Sequence, residues 1–143
     1  MAKVLVIYHS DTGNTHKLAK LVAAGAEDAG AAVTLVRAGE LDLAAAALAD
    51  GLAVGSPDYF SYVAGEVKAF FDKILYDERF KSKPYVGFGT HGGGAKVLGV
   101  LESLAKSCGL KKVGEGVLVK GAPTEADGVA ARALGAALVE AAD

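Results

Sequence analysis

Apolar residues along this chain follow two alternating rhythms. Short runs are apolar at almost every position, and the stretches between them are apolar at every third or fourth. The first rhythm marks strands and the second amphipathic helices. Residues 3–8, 32–36, 51–55, 84–89 and 113–119 are the predicted strands. The near-continuous apolar character of the first and third suits strands covered on both faces, as in a parallel sheet. Residues 15–30 form the first predicted helix, with Leu18, Leu21, Val22 and Ala26 on one face. Gly25 falls on that side, where a missing side chain allows close approach to the sheet, and Gly30 marks the stop. Residues 40–50 read as a short Ala- and Leu-rich helix. Residues 65–75 carry Val67, Phe70, Phe71 and Ile74 on one side. Residues 95–109 and a final Ala-rich stretch, entered near Pro123, complete the helices. Residues 56–64 and 90–94 are expected as loops, and the charged 76–83 as a surface connection.

Strand and helix alternate through the whole chain. That predicts an α/β fold, a three-layer α/β/α sandwich around a five-stranded parallel sheet, with residues 1–143 as one domain.

Composition narrows the picture. The hydrophobic fraction is 52% and the mean hydropathy is +0.32, which excludes disorder. A net charge of −2 gives no basic field for nucleic acid. The single cysteine, Cys108, excludes an internal disulfide and a cysteine-ligated cluster, and is expected as a buried thiol. No apolar run approaches the ~20 residues of a membrane span. The N-terminus reads as strand almost at once, without a leader pattern, so a cytoplasmic location is expected.

The chemistry concentrates after the first strand, in Ser10-Asp11-Thr12-Gly13-Asn14-Thr15. A strand that ends in hydroxyls and a glycine, and opens directly into a helix, builds an anion site. The first helical turn offers unpaired N–H groups and the positive end of the dipole. The same residue types also serve as plain turn and N-cap residues. The pattern is neither the Gly-Lys-Ser/Thr loop of triphosphate sites nor the Gly-x-Gly-x-x-Gly of dinucleotide folds. A phosphate monoester is the anion expected here.

This loop resembles the flavodoxin phosphate loop, Ser/Thr-x-Thr-Gly-x-Thr, and the resemblance covers essentially the whole chain. It implies a sheet in the order 2-1-3-4-5, with the ligand at the carboxyl ends of the strands. It implies non-covalent FMN, with Ser10, Thr12, Asn14 and Thr15 on the phosphate and Gly13 giving clearance. Flavodoxins typically bind the phosphate without a cationic partner, and this loop contains no Lys or Arg, although His16 and Lys17 follow it. Flavodoxins that act as soluble carriers are usually strongly acidic, and the near balance of charge departs from that.

Two further loops complete the expected cofactor site. Ser56, Pro57, Asp58, Tyr59, Phe60, Ser61 and Tyr62 place three aromatics in a chain that is only 7% aromatic. Loop aromatics at a strand end either stack on a ligand or pack back on the following helix. The segment, with Gly65-Glu66-Val67-Lys68-Ala69-Phe70 after it, is similar to the quinone-reductase branch of the flavodoxin superfamily. That branch usually has Gly where this chain has Ser61, which tolerates a peptide flip less well. The third loop is Thr90, His91, Gly92, Gly93 and Gly94, whose backbone N–H groups are expected at the flavin's pyrimidine edge. His91 stands where flavodoxins often have Tyr, and is the candidate catalytic residue, as a stacking group or proton donor to a reduced quinone. The resemblance implies electron transfer with a redox partner protein. The alternative is an NAD(P)H-dependent FMN quinone reductase. A phospho-acceptor module of the same topology is a third reading: Lys120 lies after the fifth strand as such modules require, but Asp11 and Asp58 are the only acids near the expected positions.

Overall fold

The computed structural model describes residues 1–143. Its elements in order are β1 (Lys3–Tyr8), α1 (Asn14–Asp28), β2 (Ala32–Arg37), α2 (Leu43–Leu48), β3 (Gly51–Pro57), α3 (Gly65–Ile74), β4 (Pro84–His91), α4 (Val97–Ser107), β5 (Lys111–Lys112), β6 (Val117–Lys120) and α5 (Glu125–Ala142). All pairings are parallel, in the order β2-β1-β3-β4, with β5 and β6 both along the outer side of β4. This is the expected 2-1-3-4-5 sheet.

The side-chain alternation of the strands feeds two cores. Leu5, Ile7, Leu52, Val54 and Tyr85 face α2, α3 and α4. Val4, Val6, Ala53, Val86 and Phe88 face α1 and α5. Each fully buried Leu, Ile, Val or Phe here stabilises the fold by about 1.5–3 kcal/mol before entropy is charged against it. Both faces are covered, which is why the strands read as continuous apolar runs.

Four expectations need correction. The edge strand is not continuous over 113–119. Tyr85 pairs with Lys112 and Phe88 with Val117, three steps along β4 against five along the edge. The Val113 N–H still bonds the Tyr85 carbonyl at 3.0 Å, and the surplus is looped out at residues 114–116, which an edge strand tolerates because it has no outer neighbour. Gly25 serves a helix, not the sheet. A Cβ there would collide with the Arg132 carbonyl of α5, and one at Gly135 with the Val22 carbonyl of α1, so each glycine lets the other helix's backbone approach. Residues 76–83 are not simply surface. They include a single turn of 3₁₀ helix, Glu78–Phe80, whose Phe80 is fully buried and edge-on to Phe70. Finally, β3 runs on to Pro57 and β4 to His91, paired Ser56 to Gly89 and Pro57 to Thr90. Ser56, Pro57, Thr90 and His91 are therefore strand ends, not loop residues. The helices shorten correspondingly: α2 starts at Leu43, capped by the Asp42 carboxylate, and α4 starts at Val97.

Candidate functional site

The first loop leaves β1 beside β3, with the His9 N–H on the Gly55 carbonyl at 3.2 Å. It enters α1 through Gly13 at φ +101°, a conformation that suits glycine. No side chain caps α1 and no acidic residue lies in its first turn. The hydroxyls are thus not spent on capping. The buried Ser10 Oγ accepts from the Gly13 N–H at 3.1 Å, inside the loop. The N–H groups of Asp11, Thr12, Asn14, Thr15 and His16 have no acceptor in the chain. That is a nest of free donors at the positive end of a helix, the arrangement an anion needs. Thr15 is used differently from expectation: its hydroxyl lies 2.7 Å from that of Thr90, both buried, and ties the loop to the end of β4.

The second loop is a tight turn. Tyr59 and Tyr62 exchange backbone hydrogen bonds of 2.9 and 3.0 Å, with Phe60 and Ser61 between them at φ 57° and 63°. Its base is closed by Ser56, fully buried, whose Oγ accepts from the Ala64 N–H and donates to the Pro57 carbonyl, both at 2.8 Å. Asp58 locks it to the third loop. One carboxylate oxygen accepts from Ser61 N–H at 2.9 Å, the other from Lys96 and Val97 N–H at 2.9 and 3.0 Å, capping α4.

Tyr59 is turned inward by chemistry that no local pattern announces. Its hydroxyl donates to Asp11 Oδ2 at 2.5 Å. Burial, then the Asp11 carboxylate, push the phenol pKa up to about 12. The Tyr59 hydrogen bond, and then His9, hold Asp11 below the usual carboxylate value. His9 itself sits between Asp11 Oδ1 at 3.2 Å and Glu66 Oε1 at 2.5 Å. Phe60, in contrast, is 101% exposed and Tyr62 41%. The turn therefore sends one aromatic in and one fully out.

These pieces enclose a cleft of about 230 Å³ at the carboxyl ends of β1, β3 and β4, lined by Thr12, Asn14, Tyr59, Thr90 and His91, among others. Pro57, Asp58 and Gly92 also line it. Ser10, Thr15 and Ser56 are buried and support the loops through hydrogen bonds; Phe60, Ser61, Tyr62, Gly93 and Gly94 are not part of its wall. The buried Nδ1 of His91 has no hydrogen-bond partner. Gly121 joins the wall from just beyond the carboxyl end of β6. Sequence reading missed it, along with His9, Glu66 and Arg37. A larger hollow of about 430 Å³ beside Tyr85 and Glu102 lies away from these strand ends and is not the convergence point of the loops. Neither acid is free for phospho-transfer: Asp58 is held by backbone amides and Asp11 by Tyr59 and His9.

The comparisons agree with this geometry. The flavodoxin family model matches residues 6–135, and the chain belongs to the flavodoxin family. A flavodoxin of Aquifex aeolicus is 49% identical over 78 residues, 54% of this chain and 42% of that protein. An NAD(P)H dehydrogenase (quinone) of Caulobacter vibrioides is 38% identical over 92 residues, 50% of this chain and 46% of that protein. The matched segments thus cover less than half of either relative. A solved flavodoxin from the domain Archaea shares the fold with a TM-score of 0.92 at 22% identity, covering 98% of each chain. The family's cofactor is FMN, and the residues present fit it: Thr12 and Asn14, with free amides at an uncapped helix terminus, share one cleft with Tyr59 and His91. No helix is long and apolar enough to cross a membrane.

Proposed function

We propose that this chain is an electron-transfer protein that works with a redox partner, its FMN phosphate held by the loop Ser10–Thr15. One observation carries the reading: the N–H groups of Asp11, Thr12, Asn14, Thr15 and His16 are unpartnered, and Thr12 and Asn14 of that loop line one cleft with Tyr59 and His91. Bound FMN supplies one- and two-electron redox chemistry. The chain's own work is to bind and orient. The loop amides hydrogen-bond the phosphate, Asp11 fixes Tyr59 in the wall, and Asp58 ties the second and third loops together. Phe60, fully exposed on the turn beside Tyr59, supports contact with a partner at the cleft's rim. A reducing, cytoplasmic setting fits the buried free thiol of Cys108.

The test is the absorption spectrum after FMN is added and the excess removed, followed by anaerobic reduction. Retained flavin that is reduced chemically but not by NADH or NADPH supports the carrier. Thr12→Asp should abolish retention by charge repulsion; normal flavin content in that variant would sink the phosphate assignment.

His91, a residue of the cleft wall, favours a second reading, an NAD(P)H-dependent quinone reductase. An imidazole at the cleft can hold or deliver a proton at an acceptor's carbonyl. Reduction of the bound flavin by a nicotinamide, with quinone turnover slowed in His91→Ala while FMN stays bound, is the result that selects it.

A further inference from the structure

A cationic side chain does reach the phosphate loop, and it comes from another strand. Arg37, the last residue of β2, donates from Nη1 to the Ser10 carbonyl at 3.0 Å. Its guanidinium lies 5.7 Å from the centroid of the Tyr8 ring. Tyr8 in turn stacks on His16, with ring centroids 4.9 Å apart and planes 8° from parallel. The second nitrogen, Nη2, stands 3.8 Å from Glu66 Oε1. One side chain thus braces β2, β1 and the mouth of the loop together.

Charge balance gives this contact a purpose. A phosphate monoester brings about −1.5 to −2 charges at neutral pH. The terminus of α1 offers about +0.5. The loop adds a negative charge of its own, Asp11. Arg37 is the one Lys or Arg side chain hydrogen-bonded to the loop. Its side chain is 36% exposed, so its field is screened less than that of a free surface cation. The contact also has geometry. A peptide is planar and trans, so fixing the Ser10 carbonyl toward Arg37 aims the Asp11 N–H the opposite way. That N–H is among those without an acceptor. A guanidinium can stack and donate at once, which an ammonium does less well.

We propose that Arg37 is a positioning residue for the cofactor, holding the Ser10–Asp11 peptide and supplying the charge that makes the loop prefer FMN to unphosphorylated riboflavin. The inference rests on the reading that the loop holds the FMN phosphate.

The experiment titrates FMN and riboflavin separately into the full chain freed of flavin, following fluorescence quenching. Arg37→Gln should weaken FMN about tenfold or more and leave riboflavin within roughly twofold. Arg37→Lys, which keeps the charge but not the planar fork, should recover part of the FMN loss. Equal losses for both flavins, or none for either, would overturn the assignment; so would a lysine variant as weak as the glutamine one. Added salt provides the same test on the unmodified chain, should the variants fail to fold. FMN affinity should fall with ionic strength while riboflavin affinity stays level, and a flat FMN response overturns the role. If the unmodified chain binds neither flavin, the cofactor reading itself fails, and this assignment with it.

Discussion

The hydroxyl of Thr15, on the first turn of α1, lies 2.7 Å from the hydroxyl of Thr90, at the end of β4. Both residues are buried, so each hydroxyl depends on the other for its hydrogen bond. Thr15→Val or Thr90→Val alone strands one buried hydroxyl and should cost about 1–3 kcal/mol. The double variant should cost less than the sum, because no orphan remains. Denaturant unfolding of the set measures this. Thr15→Val should also weaken FMN less than Thr12→Val does, since the Thr15 hydroxyl is already engaged.

Two Gly→Ala changes should have opposite signs. At Gly135 the new methyl meets the backbone of α1, which cannot yield as a side chain can, and the cost should be about 1–3 kcal/mol or more. At Gly99, inside α4 with nothing near the methyl, Ala should stabilise by up to ~1 kcal/mol through helix propensity. Thermal unfolding of both variants checks the pair.

Tyr59 should titrate late. Its phenol is pushed from the usual 10.0 to about 12, so folding favours the protonated form. That contribution is complete below pH 10.0 and disappears as pH rises through about 12. Asp11 acts in the opposite window: its lowered value stabilises the fold above the usual 3.8 and is lost as pH falls through the folded value. Phenolate absorbance should show a late-titrating tyrosine that disappears in Tyr59→Phe. In Asp11→Asn that transition should move down toward the usual value.

Tyr85 is completely buried and its hydroxyl has no partner. Burial and the nearby Glu102 raise its pKa. Tyr85→Phe removes an unsatisfied polar group and keeps the ring. Stability in denaturant should be unchanged or raised by up to ~1 kcal/mol. A clear loss would mean the hydroxyl is satisfied in solution.

Ser61 holds φ 63° in the tight turn, a left-handed conformation that costs an L-residue roughly 1–2 kcal/mol. Glycine relieves that strain, against a cost of about 0.5–1 kcal/mol in unfolded-state freedom. Ser61→Gly should therefore leave the melting temperature level or raise it slightly.

The elements were legible because their signals are local. An apolar, mostly β-branched run such as Val4–Ile7, or the Leu18/Val22/Ala26 stripe, owes its structure to residues within a turn or a strand's length. The loop Ser10–Thr15 was legible for the same reason: hydroxyls, a glycine and a following helix are contiguous. Element ends were less so. Pro57 and His91 extend their strands because β3 and β4 pair there, a condition set by a neighbour and not by their own residue types. The interruption of the edge strand likewise follows from its register against β4.

Contacts between distant residues were not legible at all. Asp58 read as a residue of the cofactor loop and does line the cleft, but its capping of α4 through Lys96 and Val97, 38 and 39 positions away, had no local signal. The loop read as lacking a cation, yet Arg37 reaches Ser10 from 27 positions on. His9 is held between Asp11 and Glu66, the latter 57 positions away. Periodicity and turn chemistry thus settle which segments become strand, helix and the hydroxyl-rich loop that opens α1, since those preferences act within a few residues of backbone. Which acid meets which base, which ring turns inward, and where the loop finds its positive charge depend on sheet register and helix crossing. Those bring together side chains far apart along the chain, and electrostatic and hydrogen-bond energies act across space, not along sequence.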